Sequence, residues 1–116
     1  MTQLPNLLLV HGGPGMDDSY FFPFLEPLRK HFAIHSYAQG TDVELGTSPI
    51  DDLVNELQDH ISSMDGSRKF ILAHSFGAAL ALERIRRFGD SDLDGLILVS
   101  WICDLEWQSI FDNRNP

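Results

Sequence analysis

The sequence predicts an α/β protein: a parallel sheet of about four strands with flanking helices. Three observations carry this. Four short apolar runs, Leu7–Val10, Phe32–Tyr37, Phe70–Ala73 and Leu96–Val99, are separated by segments with helical spacing or turn residues. Three of them (Leu7–Val10, Phe70–Ala73, Leu96–Val99) are continuously apolar instead of alternating, which suits strands covered on both faces. The repeating order of strand and helix signals, β-α-β-α-β-α-β, argues for parallel pairing through crossovers.

The first run, Leu7–Val10, ends in a Gly-rich loop, His11-Gly12-Gly13-Pro14-Gly15. Between Ser19 and Phe32 the helical signal is weak, because Pro23 and Pro27 fit a helix only within a first turn. After Phe32–Tyr37 comes a loop-like stretch, Gln39–Pro49. A helix then starts near Ser48: Pro49 suits the first helical position, and Asp51 stands three residues after the serine, close to a capping box. Leu53, Leu57, Ile61 and Met64 recur at helical spacing until Asp65-Gly66 closes the helix. The third run, Phe70–Ala73, stops at His74-Ser75, and a second helix follows. Its predicted apolar stripe is Ala78, Leu82 and Ile85, with Glu83, Arg84, Arg86 and Arg87 forming a solvated face and Gly89 ending it. Leu96–Val99 is the fourth strand.

The chain has 116 residues, which allows one domain; it is 43% hydrophobic and 22% charged, ordinary for a globular protein. A net charge of −9 disfavours nucleic acid and anionic membrane surfaces as partners. One cysteine permits no internal disulfide and favours a reducing compartment, so a cytoplasmic location is expected. The N-terminus has no basic region ahead of an apolar stretch, so no signal peptide is read there. No apolar run approaches the ~20 residues of a membrane span. Internal repeats and low-complexity tracts are absent from the sequence. No cofactor and no metal are expected.

The richest segment is Lys69-Phe-Ile-Leu-Ala-His-Ser-Phe-Gly-Ala-Ala-Leu-Ala-Leu82. A strand, a sharp turn and a helix place the Ser75 hydroxyl at the apex of the turn. Small residues are needed two positions either side, where backbone passes close to backbone, and here they are Ala73 and Gly77. The pattern is A-x-S-x-G, one methyl away from the G-x-S-x-G nucleophile elbow. Alone, a serine before a helix is an ordinary N-cap. Paired with a glycine-rich loop at a neighbouring strand end, it reads as a nucleophile. Such a loop can hold backbone N–H groups in a fixed, unusual orientation, which an oxyanion hole requires. The candidate catalytic residues are Ser75 as nucleophile, with the N–H groups of Phe76 and Gly13 as oxyanion donors. The loop could instead be a tight turn or a phosphate cradle. It lacks a complete G-x-G-x-x-G and any G-K-[ST], so nucleotide binding is not expected. Two geometric expectations follow: a positive φ at Ser75, and Gly13 and Phe76 N–H groups sharing a cavity with the Ser75 hydroxyl.

From about Leu7 to Trp107 the chain resembles the N-terminal portion of an α/β-hydrolase. Its HGGPG loop is most similar to the proline iminopeptidase-like branch of that superfamily. The resemblance implies a partial α/β-hydrolase fold within a longer domain. Residues 1–116 would form a single domain, with 101–116 beginning a cap or crossover. It also implies a serine hydrolase of esterase or aminopeptidase type, acting on an ester or amide bond of a small molecule or peptide. The family's Asp-x-x-Gly-type loop is replaced here by Ala38-Gln39-Gly40.

A serine nucleophile needs a base, and the base an orienting acid. The chain has five histidines, and none follows Ser75, where the resemblance implies the catalytic one should stand. His11 and His74 are implied to shape loops, and His31, His35 and His60 read as surface or buried structural residues. Asp104 could be the triad acid or a solvated carboxylate. Cys103, Trp101 and Trp107 read as packing residues. Two alternatives stay open: a non-catalytic homologue or binding module, and a homo-oligomer formed through the sheet edge at Leu96–Val99.

Overall fold

A computed structural model describes residues 3–13, 16–40, 46, 48–66 and 68–99. Four strands, β1 (Asn6–Val10), β2 (Ala33–Ser36), β3 (Lys69–His74) and β4 (Gly95–Val99), form one sheet in the order β2-β1-β3-β4. All pairings are parallel. The register sets Val10 beside Ala73 and Ala73 beside Leu98, so the strands finish level with one another. That common carboxyl edge is where the glycine-rich loop and the His74-Ser75 turn emerge.

The sheet separates two apolar layers, which explains why its strands read as unbroken apolar runs. On one face, Leu8, Val10, Ile71 and Ala73 pack against Leu53, Val54, Leu57 and Ile61 of α1 (Pro49–Ser63) and Ala78, Leu80 and Ala81 of α2 (Phe76–Phe88). On the other, Leu7 and Leu9 meet Phe21, with Tyr20, Leu25, Leu28, Phe70 and Leu72 around them. Every residue of β1 is buried. Removing a side chain such as the fully buried Leu57 costs about 2–5 kcal/mol.

The α1 stripe matches the sequence expectation: Leu53, Leu57, Ile61 and Met64 are all buried. Its start differs in detail. The Ser48 hydroxyl donates to the Asp51 carboxylate at 2.5 Å and caps no backbone N–H.

Two expectations need correction. The first crossover contains no α-helix; Asp18–Phe21 and Glu26–Lys30 are short 3-10 helices, each a turn or so long. Pro23 and Pro27 remove the backbone donors a longer helix would use. The second correction concerns α2. Leu82 and Ile85 are only partly buried, whereas Gly77, Ala78, Leu80, Ala81, Glu83 and Arg84 are buried. Small residues let the helix press onto both the sheet and α1, which turns its buried face away from the larger aliphatics.

Arg84 is therefore not on a solvated face; it is 1% exposed. Its Nε donates to Gln58 at 2.6 Å, Nη1 to the Gly89 carbonyl at 3.0 Å, and Nη2 to Asp92 at 2.6 Å. A buried guanidinium is tolerable because each of its three nitrogens has an acceptor and one of these is a carboxylate. The Arg84 hydrogen bond holds the Asp92 carboxyl below its ordinary range. At the far edge, β4 leaves Ile97 and Val99 exposed. No helix among the described residues is long and apolar enough to cross a membrane.

Candidate active site

β3 runs straight into Ser75, and α2 begins at the next residue. Ser75 has φ 55° and ψ −117°, and it is the single non-glycine residue with positive φ among those described. This meets the sequence expectation. Such backbone costs on the order of 1–3 kcal/mol and persists only where its surroundings hold it. Here the Ser75 N–H donates to the Val99 carbonyl at 3.0 Å, and its carbonyl accepts from the Ala78 N–H at 2.9 Å. Its hydroxyl makes no capping hydrogen bond to α2. The ordinary use of a serine at a helix start is thus absent.

The small neighbours have visible reasons. Ala73 is fully buried between Val10 and Leu98 in the register. A Cβ at Gly77 would fall 2.3 Å from the Val10 carbonyl oxygen and 2.6 Å from that of His11. The N-terminus of α2 therefore sits directly on the end of β1, and so beside the glycine-rich loop. A Cβ at Gly12 would meet His74 Nδ1 at 3.1 Å and Ser75 Cβ at 3.3 Å. The start of the loop lies against the serine turn, not on the far side of the sheet. Pro14 and Gly15 lie outside the described residues.

Two consecutive peptide planes of this loop are pinned. In the His11–Gly12 plane, the His11 carbonyl accepts from Gln39 Nε2 at 2.7 Å, and the Gly12 N–H donates to Tyr20 Oη at 2.7 Å. In the Gly12–Gly13 plane, the Gly12 carbonyl faces His11 Nδ1. His11 Nε2 accepts the Gln39 backbone N–H at 2.9 Å, so the ring proton belongs on Nδ1, where it donates to Gly12. A trans peptide is planar, with C=O and N–H opposed. Fixing the Gly12 carbonyl therefore fixes the direction of the Gly13 N–H. Gly13 itself has φ 132°, a conformation that glycine adopts readily. With the Gly12 N–H already engaged by Tyr20, Gly13 remains as the candidate donor of this pair. The Phe76 N–H opens α2 and belongs to the first turn, whose donors have no intrahelical acceptor. The positive end of that helix favours developing negative charge.

Sequence reasoning missed Tyr20 and Gln39. Tyr20 Oη also bonds His74 Nδ1 at 2.7 Å, across 54 residues of chain. Burial pushes the Tyr20 phenol up, opposed by the Gly12 N–H. Beside the turn lies a cavity of about 200 Å3 lined by Tyr20, Phe21, Phe24, Leu25, Leu72, His74 and Val99. The remaining histidines lie elsewhere: His35 bonds Asn6 at the start of β1, and His60 stacks on Tyr37. His31 caps the second 3-10 helix. Asp104, Cys103, Trp101 and Trp107 lie outside the described residues. Among those described, no cluster of three or more His, Cys, Asp or Glu side chains could hold a metal ion.

Residues 7–115 match the sequence profile of the alpha/beta hydrolase family. Similar solved structures include a proline iminopeptidase-related protein of Thermus thermophilus, 30% identical with a TM-score of 0.65, over 92% of this chain and 40% of that one. The N-formylmaleamic acid deformylase of Pseudomonas putida is 23% identical with a TM-score of 0.62, over 81% of this chain and 38% of its own. A variant of AqdC, in a structure addressing recognition and ring-cleavage of the Pseudomonas quinolone signal, is 18% identical with a TM-score of 0.71, over 100% of this chain and 46% of its own. The last two likenesses are of fold. No curated protein matches the chain. The chain spans less than half the length of each of these structures. The family match covers nearly the whole sequence, and the four-stranded parallel sheet agrees with it: the chain belongs to the alpha/beta hydrolase family.

Proposed function

We propose that this chain carries the nucleophile and oxyanion-binding part of a serine hydrolase that cleaves an ester or amide bond. The observation that supports it most is the backbone of Ser75: φ 55°, no capping role for its hydroxyl, and Gly12 packed against it. Ser75 Oγ attacks the substrate carbonyl carbon, and its proton passes to a histidine outside these 116 residues. The carbonyl oxygen becomes an oxyanion held by the Phe76 and Gly13 N–H groups. Collapse of the tetrahedral intermediate breaks the ester or amide bond. The alcohol or amine leaves with the proton from the histidine, and water then hydrolyses the acyl-serine by the reverse roles.

The external base is consistent with the histidines of this chain. His11 is buried with both ring nitrogens engaged, and His74 Nδ1 is bound by Tyr20. Similarity to a proline iminopeptidase-related protein favours a peptide with a free N-terminus as substrate. Fluorophosphonate labelling tests the reading. The chain alone should label weakly, since losing a triad base costs on the order of 10⁴-fold in rate. A longer product carrying a later histidine should label strongly, and Ser75→Ala should abolish labelling in both. Labelling that survives Ser75→Ala would overturn the assignment.

One observation favours a second reading, self-association through the sheet edge. β4 ends the described sheet, with Ile97 and Val99 exposed. Sedimentation of a stable dimer that Val99→Lys dissociates would support it; a monomer would dismiss it.

A further inference from the structure

We propose that Tyr20 is a positioning residue of this site, setting the oxyanion loop and the serine turn in register with each other. The inference rests on the hydrolase reading above and adds a residue to it. Among the described residues, the Tyr20 hydroxyl is the side-chain group that bonds both segments: it accepts the Gly12 N–H at 2.7 Å and meets His74 Nδ1 at 2.7 Å. In the arrangement proposed, that oxygen accepts from Gly12 and gives its own proton to His74 Nδ1. That places the proton of the neutral His74 ring on Nε2. The residue before the nucleophile and the residue before the oxyanion donor are thereby joined through a single oxygen.

The hydroxyl is itself held in place. The Tyr20 ring stacks on Phe21 at 4.6 Å and lies 5.4 Å from the His74 ring. Its 3-10 helix is capped by Asp17, which accepts the Ser19 N–H at 2.9 Å. Gln39 secures the other end of the same peptide plane through the His11 carbonyl. Without the Tyr20 hydroxyl, the His11–Gly12 plane keeps one of its two tethers. Rotation of that plane would release the Gly12 N–H and disturb the next plane, which carries the Gly13 N–H. An oxyanion hole depends on donors that are already oriented, so the loss should fall on reactivity more than on folding.

The test compares the 116-residue chain with Tyr20→Phe, which keeps the ring and removes the oxygen, and with Ile61→Val, a buried substitution remote from the site. Fluorophosphonate labelling of Ser75 is timed in each, and thermal unfolding gives the folded fraction. Nitrogen-15 NMR reads the His74 tautomer and the Gly12 amide. Tyr20→Phe should slow labelling per folded molecule on the order of 10-fold, less than outright removal of an oxyanion donor. It should also shift the Gly12 amide and the His74 ring nitrogens. Ile61→Val should leave all three signals unchanged while lowering the melting temperature. A wild-type His74 protonated on Nδ1, or a folded Tyr20→Phe chain labelling at the wild-type rate, overturns the proposal alone. A longer product carrying a later histidine that never labels at Ser75 overturns the hydrolase reading and the proposal with it.

Discussion

Gly77 and the Val10 carbonyl oxygen are so close that a Cβ on the glycine would lie 2.3 Å from that oxygen. No rotamer relieves a clash between a Cβ and backbone, so the helix or the strand must move. This contact seats α2 on the end of β1 and brings the serine turn to the glycine-rich loop. Gly77→Ala should therefore destabilise the fold by about 1–3 kcal/mol, the usual range for overpacking. It should also depress Ser75 labelling in the molecules that remain folded. Urea denaturation with parallel labelling checks both effects, and an unaffected Gly77→Ala would contradict the close seating.

The backbone at Ser75 makes a second, opposed prediction. Any residue with a Cβ is strained at φ 55° and ψ −117°, whereas glycine is not. Ser75→Ala keeps the strain and should leave stability nearly unchanged. Ser75→Gly relieves it, against about 0.5–1 kcal/mol of added chain entropy in the unfolded state. The glycine variant should be more stable than the alanine variant by about 1 kcal/mol, while both lose labelling. A glycine variant less stable than the alanine variant by that entropy cost, about 0.5–1 kcal/mol, in a denaturant titration would mean the turn is unstrained.

How far the sequence revealed this arrangement differs from residue to residue. α1 was legible because it packs one face on the core, so Leu53, Leu57, Ile61 and Met64 repeat at helical spacing. α2 was not, because it packs on both the sheet and α1. There small residues mark the buried side, and Arg84 is buried by partners on other segments, Gln58 and Asp92. The serine turn was legible because backbone crowding demands Ala73 and Gly77. Tyr20 was invisible because a hydrogen bond across 54 residues leaves no periodic trace. The missing first crossover helix was only half signalled, by Pro23 and Pro27.

Acidification should act through Asp92. Its folded pKa is depressed, chiefly by the Arg84 hydrogen bond. A depressed carboxylate contributes stability that is present above its unfolded pKa, about 3.9, and is lost as pH falls through the folded value. Stability should be flat from neutral pH to about 4 on this account and decline below that. The Asp92 side chain is 40% exposed, so solvent screening limits the ion pair itself to about 1 kcal/mol. Asp92→Asn should lower stability near neutrality and flatten the acid limb of a pH–stability curve. An unchanged acid limb would show that other carboxylates set it.

The final prediction concerns His11 and bears directly on Gly13. The His11 ring is 1% exposed, takes the Gln39 N–H on Nε2, and donates from Nδ1 to the Gly12 carbonyl. Because that carbonyl and the Gly13 N–H share one rigid peptide plane, the imidazole aims a donor it never touches. Replacing His11 with alanine leaves the Gly13 N–H present but free to swing. Removing an oxyanion donor outright costs about 10²–10³ in rate, so His11→Ala should slow Ser75 labelling by roughly 10- to 100-fold per folded molecule. Substituting Gly13 itself should cost at least as much, and the double variant should add little, since both act on one donor. Additive losses in the cycle would mean that His11 acts by another route. Full labelling in a folded His11→Ala chain would remove Gly13 from the oxyanion assignment.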